Sequence, residues 1–196
     1  MNFLAHLYLS GGDPKIMVGN FLGDFVRGRN LLERYDKNIA LGIELHRVID
    51  AFTDNHELVH ASKRRLRDKY RHYSGVIVDI FYDHFLAKNW NDYHEEPLPD
   101  FAENAYAIIK QHTTILPEDA HYMLPYMIKG NWLVNYAKIE GIEHALSGMA
   151  RRTKFDSKMD QSVVDLREHY VDFKSEFEKF FPELKNLAET FIANNK

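Results

Sequence analysis

His46, Asp50 and Asp54 recur every four residues. On a helix that spacing raises their side chains along one stripe that turns by about 40° per step. Followed backwards, the stripe meets Ile39 and Ile43, so it is apolar for two turns and ionisable for the next three. An inward face cannot leave charges unpaired without a large cost. These residues need a partner, and a divalent cation bound through nitrogen and oxygen suits imidazole and carboxylate together. Asp79 and Asp83 repeat the pattern within a face otherwise made of Val76, Leu86 and Trp90. A lone buried carboxylate takes up a proton, whereas a cation keeps two of them ionised. His84 points about 100° away from that face.

Two further helical segments carry the same style of residue. Asn20, Asp24 and Arg27 share a face with Ile16 and Met17, and Asn2 and His6 stand four apart near the start of the chain. Gly19 and Gly23 cost up to about 1 kcal/mol each inside a helix, which implies close approach of another helix or of a ligand. Any one of these polar residues also reads as a hydrogen-bonded core side chain or a helix cap. Four segments with one pattern favour a metal site with open coordination positions, with His46, Asp50, Asp54, Asp79 and Asp83 as its ligands.

Arg27, Arg47, Arg151 and Arg152 are candidates for holding phosphate, because a guanidinium binds it through two parallel hydrogen bonds. The segment from Ser62 to His72 sets six basic residues, Lys63, Arg64, Arg65, Arg67, Lys69 and Arg71, against one Asp. It is either a solvated helix face or a dock for an acidic partner.

The elements that must position these residues are helices, since periodicity near 3.6 dominates and strand-like alternation is nearly absent. A short first helix spans Asn2 to Leu9 and stops at Gly11-Gly12. Asp13-Pro14 starts a second, which runs to about Arg27 and ends at Gly28. Further helices are expected at about Asp36 to Thr53, Glu57 to Arg71, Val76 to Trp90, Asp100 to Thr113, Pro117 to Ile128, Trp132 to Ala150 and Asp160 to Phe180, with Pro182 ending or kinking the last. The fold class is all-α, a single helical bundle without an internal repeat.

Composition bounds the function. The chain has 196 residues, of which 45% are hydrophobic and 28% charged, a globular balance suited to one domain. The absence of cysteine removes disulfides, thiolate metal sites and cysteine nucleophiles together. A net charge of -4 argues against nucleic acid as a partner held by overall charge. No apolar run reaches the roughly 20 residues that span a bilayer, and Met1 to Leu9 does not read as a signal peptide. The expectation is a cytoplasmic protein with no membrane partner.

In order, MNFLAHLYLS, GNFLGDFVRG (Gly19 to Gly28), HRVIDAFTDN (His46 to Asn55) and DIFYDHFLAKNW (Asp79 to Trp90) resemble the acyl-carrier-protein phosphodiesterase family. The late segment GMARR (Gly148 to Arg152) and the terminal FFPEL extend the resemblance over nearly the whole chain. It implies a helical fold distantly similar to HD-domain phosphohydrolases. It also implies a divalent metal, manganese in the first instance with magnesium or iron(II) as alternatives. The implied reaction removes 4'-phosphopantetheine from holo acyl carrier protein, an acidic protein substrate of lipid metabolism.

The family motifs fall on His6, Asn20, Asp24, His46, Arg47, Asp50, Asp54, Asp79, Asp83 and His84. Tyr8 and Gly23 stand where His and Ala are common. Within this reading His6, Asp24 and His84 are the catalytic candidates, His6 or His84 giving the leaving oxygen its proton, and Asn20 joins the arginines in holding phosphate. The basic segment lies immediately before Asp79 and Asp83, a placement that suits carrier docking. The competing readings are a phosphohydrolase of nucleotides or other small phosphoesters, and a non-catalytic helical binding module.

Overall fold

The all-helical expectation holds: a computed structural model describing residues 1–196 contains eleven α-helices and no β-strand. They are α1 (Phe3–Tyr8), α2 (Pro14–Leu22), α3 (Lys37–Asn55), α4 (Glu57–Tyr70), α5 (Ser74–Lys88), α6 (Leu98–Gln111), α7 (Glu118–Lys129), α8 (Trp132–Asn135), α9 (Ile139–Arg152), α10 (Ser162–Glu168) and α11 (Tyr170–Asn195). Short 3-10 turns join several of them. The buried apolar side chains form one cluster of 54 residues drawn from all eleven helices, α8 contributing only Leu133 to it. No helix is long and apolar enough to cross a membrane.

α2 and α3 set the geometry of the functional residues, and glycine sets the geometry of α2 and α3. Asp13 caps α2 by accepting from the amides of Lys15 and Ile16, with Pro14 at the first helical position. A Cβ added to Gly19 would lie 2.0 Å from the carbonyl oxygen of Ile39, and one on Gly42 would lie 2.2 Å from that of Ile16. The two backbones therefore touch at the crossing. Asn20 follows Gly19 directly and His46 lies one turn after Gly42, so the contact that requires glycine also brings those two side chains together.

Four element boundaries differ from the sequence expectation, one being that the helix expected from Asp160 to Phe180 divides at His169 into α10 and α11. α2 ends at Leu22 rather than near Arg27, and the chain turns through Gly23, Asp24 and Phe25, which frees Asp24 from the helix face. The segment expected as one helix from Trp132 breaks at Tyr136 to Lys138 into α8 and α9. Pro182 neither ends nor displaces α11, which continues to Asn195. An interior proline costs about 3 kcal/mol or more. Burial of Phe177, Phe180, Phe181, Leu184 and Ala188 on the same helix offsets that, at roughly 1.5–3 kcal/mol for each large apolar side chain.

Candidate metal centre

Three consecutive elements converge on one point. α1 contributes His6, α2 and its following turn contribute Asn20 and Asp24, and α3 contributes His46 and Asp50. The rings of His6 and His46 stack with centroids 3.9 Å apart and 15° between planes. His6 Nε2 lies 3.2 Å from Asp50 Oδ1, and His46 Nε2 lies 3.1 Å from Asp50 Oδ2 and 3.4 Å from Asp24 Oδ1. Gly23 belongs to the same packing, since a Cβ there would fall 2.1 Å from His46 Cγ.

The hydrogen bonds on the far side of each ring fix its tautomer. Asn20 Nδ2 donates to the His6 carbonyl at 2.7 Å and to Ser10 Oγ at 3.2 Å, so Asn20 Oδ1 is the atom that accepts from His6 Nδ1 at 2.8 Å. The backbone carbonyl of Asn20 accepts from His46 Nδ1, also at 2.8 Å. With both Nδ1 atoms donating, each neutral ring presents an Nε2 lone pair toward carboxylate oxygens. Lone pair against carboxylate is repulsive, so a proton or a cation must lie between them.

The charges agree with that need. Burial lowers His6, and the neighbouring His46 lowers it further. Burial also opposes the His46 charge, yet hydrogen bonds to Asp24 and Asp50 raise its pKa to about 9. Asp50, which burial alone would raise, is held well below the usual carboxylate range by His46 and His6; Asp24 is lowered by His46 against the same burial effect. The buried His6 Nε2 has no hydrogen bond of acceptable geometry.

Ligand atoms of His6, His46 and Asp50 all lie within 4.8 Å of one another. That approaches the spread needed by nitrogen and oxygen ligands at roughly 2.0–2.2 Å from one ion. The donor set, the orphaned nitrogen and the fixed tautomers all fit a divalent cation, with Asp24 beside it.

Several residues expected at the centre lie elsewhere. Asp83 is fully buried, and its carboxylate accepts from the amides of Asn2 at 3.1 Å and Leu4 at 2.8 Å, so it caps α1. Asp79 pairs with the Met1 ammonium at 2.9 Å. Both carboxylates have partners supplied by the chain, and neither belongs to the close group of His6, His46 and Asp50. Asp54 has rolled out to solvent at the end of α3, where it pairs with Lys63 at 2.7 Å. His84 is buried between the Tyr136 carbonyl, 2.7 Å from Nδ1, and the Tyr170 hydroxyl, 3.1 Å from Nε2, which removes it from the cluster.

The phosphate candidates divide similarly. Asn20 is wholly buried and its amide is consumed by His6 and Ser10, so it positions the histidines instead of holding phosphate. Arg47 is clasped by Glu44 at 2.8 Å and by the carbonyl of Gly28 at 2.7 Å, tying α3 to the loop after α2. Arg27, Arg151 and Arg152 are exposed and pair with no carboxylate.

Of the basic segment, Lys63, Arg65 and Lys69 are occupied. Lys63 meets Asp54, Arg65 forms two bonds of 2.8 and 2.9 Å with Glu176 on α11, and Lys69 meets Asp165 on α10 at 3.0 Å. Arg64, Arg67 and Arg71 remain exposed without an acidic partner. Arg67 and Arg71 line a polar cleft with Lys63, His72 and Asp54. Asp54, which lines it, stands one helical turn beyond Asp50 on α3.

Comparison with known proteins agrees with the motifs. A family model described as acyl carrier protein phosphodiesterase matches residues 1–184. A protein of that name from Photorhabdus laumondii is 36% identical over 190 residues, covering 96% of each chain. One from Escherichia coli O157:H7 is 36% identical over 193 residues, covering 96% of this chain and 97% of its own. One from Yersinia enterocolitica is 34% identical over 190 residues, covering 96% and 98%. No solved structure matches. Such matches along nearly the full length set aside the non-catalytic module, and the chain belongs to the acyl carrier protein phosphodiesterase family, hydrolases of phosphodiester bonds.

Proposed function

We propose that this enzyme hydrolyses the phosphodiester that joins 4'-phosphopantetheine to holo acyl carrier protein, releasing the apo carrier, in the cytoplasm and with a divalent cation, manganese first. The observation that carries the metal is the pair of Nε2 lone pairs, fixed by Asn20 and aimed at Asp50 and Asp24. His6, His46 and Asp50 would hold the ion, which supplies Lewis acidity toward a phosphoryl oxygen and lowers the pKa of a water.

The protein groups do the rest. Asn20 fixes both imidazoles in the tautomer that leaves Nε2 free. Asp24, its side chain half-exposed and 3.4 Å from His46 Nε2, is placed beside the ligands to accept a proton from the attacking water. An exposed arginine such as Arg27, Arg151 or Arg152 would neutralise charge on the diester. Arg64, Arg67 and Arg71, exposed and free of internal acidic partners, suit the acidic face of a carrier protein.

Incubating the protein with holo carrier, and separately with a nucleotide panel, then weighing the products by mass spectrometry tests this reading. Loss of the phosphopantetheine mass from the carrier is expected. Hydrolysis of nucleotides with an unchanged carrier mass would instead assign a small-phosphoester hydrolase.

A further inference from the structure

A cavity of about 200 Å³ lies beside α8 and α9, lined by Trp132, Tyr136, Ala145, Gly148, Met149 and Arg152 among others. Its wall is mostly apolar. Gly148 stands in the interior of α9, yet a Cβ there would meet nothing within 4 Å, so close packing does not explain the glycine. What the missing side chain leaves is space.

Tyr136 joins this space to the start of α1. Its hydroxyl accepts from Asn2 Nδ2 at 3.0 Å, and Asn2 leads directly into α1, which carries His6. Arg152 lines the cavity and has no carboxylate partner.

We propose that this cavity receives the pantetheine arm of the substrate, its apolar wall taking the dimethyl-bearing portion. The assignment rests on the carrier reading above. A cavity of about 150 Å³ suffices for benzene, so this one, at about 200 Å³, has room for a short branched aliphatic segment. The exposed cations of α4 do not line it, which separates the arm's site from the docking surface. Asn135 and His144 supply polar groups for the arm's amides, and Arg152, whose Nε donates to the Gly148 carbonyl at 3.2 Å, adds a positive charge to the wall.

The test is titration of the intact protein with pantetheine, read by tryptophan fluorescence. Trp132 lines the cavity, whereas Trp90 is buried elsewhere and bonded to the Glu96 carbonyl. A saturable change is expected, absent from Trp132→Phe and weakened at least tenfold in Gly148→Phe. The ratio of holo-carrier hydrolysis to hydrolysis of bis(p-nitrophenyl) phosphate, which has no arm, should also fall at least tenfold in Gly148→Phe. No saturable change in the unmodified protein, or equal affinity in Gly148→Phe, overturns the assignment even where carrier hydrolysis proceeds. Pantetheine binding of the expected kind in a protein that leaves holo carrier intact would sink the carrier reading and keep the cavity's ligand.

Discussion

His6 and His46 stack at 3.9 Å and share one residue, Asn20, which accepts from the first through its side chain and from the second through its backbone carbonyl. Two imidazoles so close cannot both be charged without strong repulsion. Removing the Asn20 side chain should therefore loosen the ligand set. Asn20→Leu is expected to weaken manganese binding by about 10–100-fold, measured by calorimetry. Unchanged affinity would show that Asn20 only fills space.

Metal binding should release a proton from His46. In the metal-free protein its pKa stands at about 9, above the ordinary value of 6.5. Its contribution to stability is then complete below about 6.5 and lost as pH rises to about 9. A cation needs the same Nε2 unprotonated, so manganese affinity should rise by up to about tenfold per pH unit between 7 and 9. Calorimetry in buffers of different ionisation enthalpy counts the released protons. A value near zero at pH 7 contradicts the assigned tautomer and charge.

The helix crossing that builds the site is expected to be intolerant of one methyl group. Gly42→Ala places a Cβ against the Ile16 carbonyl, and relief of that overlap should cost about 1–3 kcal/mol. Thermal denaturation should show a Tm lower by roughly 2–12 °C.

Much of this arrangement was legible in the sequence. The four-residue spacing of His46 and Asp50 reports a shared helix face directly, and Gly19 signalled the helix approach that the Ile39 contact confirms. Other features depend on tertiary partners. Asp83 and Asp50 look equivalent as acids on half-apolar faces, but only the structure shows that the start of α1 supplies Asp83 with backbone donors. His6 read as an acid because spacing cannot show two rings from different helices stacking. Gly42, without which α2 and α3 could not cross, carries no local sign of its role.

Charge reversal separates docking from packing within α4. Arg64→Glu and Arg67→Glu together should raise KM for the carrier by about tenfold or more with kcat little changed, an effect that fades at high salt. Arg65→Glu should instead lower Tm, because it breaks the two bonds to Glu176. Equal KM effects from all three would mean that the internal pairing of Arg65 does not matter in solution.

Asp83→Asn distinguishes a cap from a ligand. The variant should lose stability by about 1–3 kcal/mol through weakened acceptance from the Asn2 and Leu4 amides, while manganese affinity stays within twofold. A loss of affinity without loss of stability would return Asp83 to the metal set.

The most direct measurement is the rate at which phosphopantetheine mass leaves holo acyl carrier protein with manganese present, for the unmodified chain and for Asp50→Asn. Complete removal by the first and a rate at least about 100-fold lower for a folded Asp50→Asn are expected. Full activity of the variant would contradict a metal centre built on His6, His46 and Asp50.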